Sequence, residues 1–175
     1  MLIILGGLPG TGKTTLARRL ARSVRALHLR IDTIEQALLE AEPEPGSRPA
    51  RFVGPAGYLV AYEVARDNLL LGLTVVADSV NPLPVTRAAW RAVATDAGVP
   101  AVEIELICSD PVEHRRRVES RAATGGRNAL SSWREVVDRD YAEWDRERVV
   151  IDTARLSVEQ ALAELGSRLS TIRSS

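Results

Sequence analysis

Cysteine, lysine, methionine and phenylalanine occur once each in these 175 residues, and tryptophan and tyrosine three times each. A single cysteine, Cys108, cannot close an internal disulfide, and its apolar neighbours make a buried thiol in a reducing compartment the expectation. Long apolar runs are missing too. Nothing approaches the ~20 residues that a membrane span requires, so no membrane partner is expected. The short run at residues 2–5 has no basic preface and reads as a strand rather than a signal peptide, which makes the cytoplasm the expected location. Neither sign of charge prevails, since 23 basic residues face 23 acidic ones. That balance gives no support to an extended nucleic-acid track, although a local basic patch stays open. The two histidines, His28 and His114, have no companions at metal-ligand spacing and are expected to be structural.

What is present is ordinary in bulk and regular in order. Hydrophobic residues at 45% and charged residues at 26% suit a globular protein. The length suits one domain over residues 1–170, with 171–175 a frayed tail. Apolar runs at residues 2–5, 27–31, 74–77, 102–108 and 149–151 alternate with stretches of helical periodicity. Such alternation predicts an α/β fold in which crossover units build a parallel sheet with helices on both faces. Helix ends are well punctuated. Asp110 precedes Pro111, Ser132–Glu135 and Ser157–Gln160 have capping-box spacing, and Pro84 and Gly98 bracket the helix of Trp90. Residues 43–57, rich in proline and glycine, predict an irregular loop. Trp133, Tyr141 and Trp144 fall near one helical face and are expected to pack the final helices.

The densest signal is Gly7-Leu8-Pro9-Gly10-Thr11-Gly12-Lys13-Thr14, which fits the P-loop pattern G-x-x-x-x-G-K-[ST] with no mismatch. A strand-like run precedes it, and Leu16, Ala17, Leu20, Ala21 and Val24 follow at helical spacing. Glycine turns bring N–H groups close to phosphate oxygens, and the helix beyond directs its positive end at the same anion. Lys13 is suited to the β- and γ-phosphates of ATP and Thr14 to Mg²⁺, with Thr15 ending the nucleotide-binding stretch. Lys13 is also the only lysine in the chain. A compact ammonium fits inside a glycine loop where a planar guanidinium does not.

In a parallel sheet of this kind, ligands gather outside the carboxyl ends of the strands. Asp32 follows the second apolar run, Asp78, Ser79 and Asn81 follow the third, and Asp152 and Thr153 follow the fifth. Phosphoryl transfer needs one carboxylate to orient or deprotonate a hydroxyl and another to hold Mg²⁺. Asp32 is the candidate base, with a plain N-cap of a helix over 33–40 as its alternative. Asp78, ending an apolar run, is the candidate metal carboxylate beside Thr14. Arginines crowd residues 115–139, and the Gly125-Gly126 break offers a hinge for a lid over about 115–135. Arg121 and Arg127 are the preferred pair for stabilising a transferring phosphoryl group, a solvated helix face being the alternative for each.

Taken together, the P-loop, Asp32, the Asp78-Ser79-Val80-Asn81-Pro82 block and the arginine-bearing lid resemble the small P-loop kinases. Polynucleotide 5′-hydroxyl kinases and chloramphenicol phosphotransferase-like proteins, AAA-type ATP-binding proteins, are nearest; gluconate and adenylylsulfate kinases are further off. The resemblance covers most of residues 1–155. It implies a three-layer P-loop NTPase fold with a five-stranded parallel sheet of order 2-3-1-4-5. It implies Asp32 as general base and lid arginines near Arg121 and Arg127. It also implies that Ser79 and Asn81 face the acceptor, that Arg87 binds an acidic group there, and that Asp152 and Thr153 lie beside the adenine. The expected activity is ATP- and Mg²⁺-dependent transfer of a γ-phosphate to a hydroxyl of a small molecule. One alternative is a polynucleotide 5′-hydroxyl kinase, which the neutral charge disfavours. The other is a nucleotide-dependent switch, which would have no use for Asp32 or a lid.

Overall fold

The computed structural model describes residues 1–41, 55–123 and 132–173. Along them run β1 (Leu2–Gly6), α1 (Lys13–Val24), β2 (Leu27–Arg30), α2 (Ile31–Glu40), α3 (Ala56–Leu70) and β3 (Val75–Asp78). Then come α4 (Pro84–Asp96), β4 (Ala101–Ile107), α5 (Pro111–Ala123), α6 (Trp133–Val137), β5 (Val149–Asp152) and α7 (Val158–Arg173). The strands pair in parallel in the order β2-β3-β1-β4-β5, as the resemblance implied. Helices separate successive strands, and a helical crossover returns the chain to the starting edge, so neighbours run the same way.

Side chains alternate across the sheet and build a core on each face. Ile3 and Leu5 of β1 join Leu16 and Leu20 of α1 and Leu165 and Leu169 of α7. Leu2 and Ile4 point the other way, to Ala61 and Leu69 of α3 and Trp90 and Val93 of α4. With both faces covered, β1 is buried throughout, which is why its sequence reads as an unbroken apolar run. The β4 run is apolar on one face only. Val102, Ile104 and Leu106 enter the α1–α7 core, whereas Glu103 and Glu105 form ion pairs with Arg91 at 3.0 Å and Arg148 at 2.8 Å.

Several boundaries differ from the sequence expectation. Helix α2 begins at Ile31, so Asp32 lies inside its first turn and is not an N-cap. Helix α3 takes in Ala56 and Gly57 from the predicted loop, whose residues 43–54 lie outside the described ones. Residues 171–173, read as a frayed tail, continue α7. Cys108 is half-buried rather than enclosed. Of the three aromatics assigned to a helical face, only Trp133 is helical. Tyr141 and Trp144 lie in the irregular stretch before β5, because they pack around a buried guanidinium rather than against a helix. The caps fall where expected: Asp110 Oδ1 accepts from the Val112 and Glu113 N–H groups, and Ser132–Glu135 and Ser157–Gln160 bond reciprocally. Among the described residues, no helix is long and apolar enough to cross a membrane.

Strand register decides what meets at the carboxyl edge. Leu5 of β1 and Arg30 of β2 both pair with Asp78 of β3. The loop after β1 and the acids after β2 and on β3 therefore open onto the same side.

Candidate active site

The loop between β1 and α1 is fixed from behind by its neighbours. At Gly7, φ is 133° and a β-carbon would stand 2.2 Å from the Leu106 carbonyl oxygen, so both backbone angle and space demand glycine. At Gly10, φ is 87° and a β-carbon would meet Val118 of α5 at 2.6 Å. Lys13 opens α1 and is 8% exposed, with its Nζ donating to the Leu8 carbonyl at 2.8 Å. Burial pulls its pKa down to about 8. The Asp78 and Asp32 carboxylates work in the opposite sense, and the Arg121 and Arg139 guanidinium groups add to the depression. An anion held by the loop would favour the charged form of this ammonium.

A cavity of about 680 Å³ opens in front of the loop. Pro9, Gly10, Gly12, Lys13, Thr14 and Thr15 line its donor side, while Gly7, Leu8 and Thr11 stand behind them. Asp32 and Asp78 face it from α2 and β3. Asp78 is 2% exposed, and burial alone would push its carboxyl up. A hydrogen bond from His28 Nε2 at 3.1 Å, the Lys13 charge and the Thr14 hydroxyl outweigh that penalty and hold it below the usual carboxylate range. Asp32 is pinned differently: Arg30 Nη2 donates to its Oδ2 at 2.6 Å, and Arg30 Nε lies 4.0 Å from Asp78 Oδ2. One guanidinium thus spans both carboxylates. The Thr14 hydroxyl against the Asp78 carboxylate is a small, hard oxygen donor set. It fits a Mg²⁺ that takes few protein ligands and keeps the rest of its shell for phosphate and water.

The acceptor side is bounded by α2, by Tyr58 of α3 and by Ser79, Val80 and Pro82 after β3. Glu35, one turn beyond Asp32, has its carboxyl raised by burial and by the Asp32 charge, with Arg139 opposing. Burial also pushes the Tyr58 phenol up. Ser79 lines the cavity.

Two residues assigned to the acceptor side are not on it. Arg87 is 0% exposed and turned into the protein. Its Nε donates to the Asn81 carbonyl at 2.9 Å, Nη1 to Glu143 at 2.9 Å, and Nη2 to Pro82 at 3.1 Å and Ala142 at 2.7 Å. Its plane also lies 4.2 Å from the Trp144 ring centre. With four of its five N–H donors so committed and no exposed surface, this cation is out of reach of a ligand acid. Asn81, likewise 0% exposed and in a left-handed turn at φ 49°, spends its amide on the Leu5 carbonyl at 3.0 Å and braces β1 against the turn after β3.

The side chains of Asp152 and Thr153 also serve the main chain. Asp152 Oδ1 accepts from the Ser109 and Ala154 N–H groups. The Thr153 hydroxyl lies 3.0 Å from the Thr11 carbonyl and accepts from Arg117 Nη1 at 2.9 Å, so it packs on the outside of the loop. Arg121 lines the cavity, whereas Arg127 and the Gly125-Gly126 break lie outside the described residues.

Sequence reasoning gives His28 and His114 only structural roles and does not select Arg30, Glu35, Tyr58 or Arg139. The signal for His28 and Arg30 was present: in Leu27-His28-Leu29-Arg30 the leucines alternate into the core, which leaves His28 and Arg30 together on the other face. Arg139 was counted among the arginines but not selected. It comes to the cavity from the irregular stretch after α6, where no periodicity points.

Loop, strand-end carboxylates and sheet order define a P-loop nucleotide-binding protein with the fold of the small kinases. More particularly, residues 2–142 match the AAA domain, and the chain belongs to that family. It is 32% identical over 152 residues to an uncharacterized protein of Mycobacterium tuberculosis, covering 82% of this chain and 30% of that one. The chain thus spans about 30% of the length of the curated relatives at this identity. A crystal structure of a candidate kinase from Chloroflexus aurantiacus superposes with a TM-score of 0.77 at 21% identity, covering 98% and 96% of the two chains. The Mycobacterium tuberculosis APS kinase in complex with AMPPNP and APS gives 0.69 at 20% identity, over 97% and 96%. At these identities the structures are neighbours in fold.

Proposed function

We propose that this chain is an ATP- and Mg²⁺-dependent phosphotransferase that moves the γ-phosphate to a hydroxyl group of a small molecule. The observation that carries the reading is the joining of both halves of a transfer site in one cavity. Lys13 and the loop, Asp32, Arg121 and Arg139 line the same cavity, and the charges of Asp32, Arg121 and Arg139 all act on Lys13. A neighbour in fold that holds AMPPNP together with APS supports a cleft of this shape accepting donor and acceptor at once.

The loop N–H groups and Lys13 would hold the β- and γ-phosphates, while Thr14 and Asp78 would hold Mg²⁺. The ion, when bound, supplies neutralisation of the phosphate charge. With Oδ2 of Asp32 on Arg30, Oδ1 is left to take the proton of the acceptor hydroxyl. The hydroxyl oxygen then forms a bond to the γ-phosphorus as the bond to the β–γ bridging oxygen breaks. A phosphate ester, ADP and one proton leave. Arg121 and Arg139 face the charge that spreads over the transferring group. An ATP-consuming reaction would suit the cytoplasm.

The deciding experiment is transfer from γ-labelled ATP across hydroxylated metabolites, antibiotics and 5′-hydroxyl oligonucleotides. Label entering a small hydroxyl compound, lost in the Asp32→Asn protein, is the expected result. Label entering only oligonucleotides would move the acceptor class. ATP hydrolysis with no transfer to any acceptor, unchanged by Asp32→Asn, would overturn the reading.

A further inference from the structure

One face of α5 packs against the phosphate loop, with Arg117 and Val118 also reaching the cavity wall and His114 buried away from it. His114, Arg117 and Val118 lie three and four residues apart and therefore side by side on the helix. Val118 presses on Gly10, and Arg117 holds the Thr153 hydroxyl that lies against the Thr11 carbonyl. His114 Nε2 stands 2.7 Å from the Pro9 carbonyl oxygen. A carbonyl only accepts, so the ring nitrogen carries the hydrogen. The ring is itself fixed, being 7% exposed and edge-on to Trp133 of α6 with centroids 5.2 Å apart.

The described residues include no cis peptide, so the Pro9–Gly10 unit is trans and its C=O and N–H point in opposite directions. A hydrogen bond that draws the Pro9 carbonyl toward the buried His114, which does not line the cavity, turns the Gly10 N–H the other way, toward the cavity that Gly10 lines. We propose that His114 is a positioning residue whose Nε2–H sets this peptide so that the Gly10 N–H is aimed at bound nucleotide. The proposal rests on the reading of the loop as an ATP site. It adds a link that the P-loop motif does not contain: α5 also carries Arg121, two turns further on, to the cavity. One hydrogen bond registers the loop donor and Arg121 against each other.

The test is equilibrium binding of a non-hydrolysable ATP analogue with Mg²⁺ to the full chain, with melting curves on every variant. His114→Phe keeps a ring against Trp133 but removes the donor, and its Kd should rise ~10-fold, about 1.4 kcal/mol. His114→Gln places an amide N–H near the position of Nε2 and should recover most of that loss, a rescue that a merely structural role would not show. In turnover, the Phe variant should raise KM for ATP more than it lowers kcat. Should the Phe variant fail to fold, His114→Met against His114→Gln carries the same contrast. Wild-type affinity in the donor-less variants, or equal loss in the Gln and donor-less variants, would overturn the inference alone. Wild-type protein that binds no analogue would overturn the ATP-site reading and this inference with it.

Discussion

The two halves of the cavity are built by opposite means. The proposed donor half is one continuous stretch, residues 7–14, which would meet a phosphate with main-chain N–H groups and the Lys13 side chain. Its shape is held by contacts from other elements, the Leu106 carbonyl at Gly7, Val118 at Gly10 and His114 at Pro9. The acceptor half is assembled from side chains on β2, α2, α3, β3 and the stretch after α6. Arg30 spans its two carboxylates, and Glu35 and Arg139 offset one another. Main-chain recognition suits any nucleotide phosphate and leaves little room to vary. Side-chain recognition gathered from distant positions can be retuned residue by residue, which is how one donor site serves many acceptors.

The contrast predicts how each half fails. The largest effect belongs to Lys13, the donor half's one side chain. Lys13→Ala should lower phosphate transfer ~10³-fold or more and weaken binding of an ATP analogue, in the range of losing a preorganised charge from a phosphoryl site. Its melting temperature should hold, because the burial penalty on the ammonium disappears with it. Undiminished turnover would break the donor assignment.

Asp32→Asn comes next, with transfer falling ~10²-fold as for loss of a general base, while analogue affinity stays near wild type. A lower melting temperature with unchanged turnover per folded molecule would reduce Asp32 to a partner for Arg30.

Arg87→Met should act on stability. Leaving buried carbonyls without their donor costs ~3–5 kcal/mol, or roughly 6–20 °C in Tm at this chain length. Analogue affinity should change little, since Arg87 touches no part of the loop; a large loss there would erase the division between the halves.

The smallest effect is a pH dependence. Burial raises all three tyrosines, Tyr141 to about 12 and Tyr58 and Tyr62 also upward. The folded chain then keeps its phenolic protons where the unfolded chain, titrating near ~10, has lost them. Stability is complete below pH 10 and is lost as pH rises through the folded-state values. Urea midpoints should fall between pH 9.5 and 11.5, and absorbance at 295 nm should show tyrosinate only with unfolding. Tyrosinate at pH 10 in folded protein would contradict the burial of these rings.

Much of this could be read from the chain because it is local. The P-loop is eight adjacent residues whose chemistry follows from their order, and the sheet follows from apolar runs interleaved with helical ones. Asp32 and Asp78 were accessible by a rule about strand ends. Arg87 was misread for a physical reason. The residues near it show a cation close to the acceptor edge, but not that the carbonyls of Ala142 and Glu143 return to surround it. Asn81 misled in the same way, since a polar residue after a strand looks alike whether it meets a ligand or the Leu5 carbonyl. His114 shows the limit most plainly. It lies 105 residues from Pro9, and nothing in its helix marks it except position on the face of Arg117 and Val118.

Arg87 also sets a clock. The stretch between α6 and β5 has no strand or helix of its own, and its carbonyls at 142 and 143 are tied to the rest of the protein by that one guanidinium. Such a tie can open while the sheet stays shut, carrying Arg139 away from the cavity and back again. The Ala142 N–H, bonded to the Pro82 carbonyl at 2.9 Å, would record each excursion by exchanging its hydrogen before the amides of β1 do. Arrival and departure of an acceptor would then be timed by a cation that never meets it.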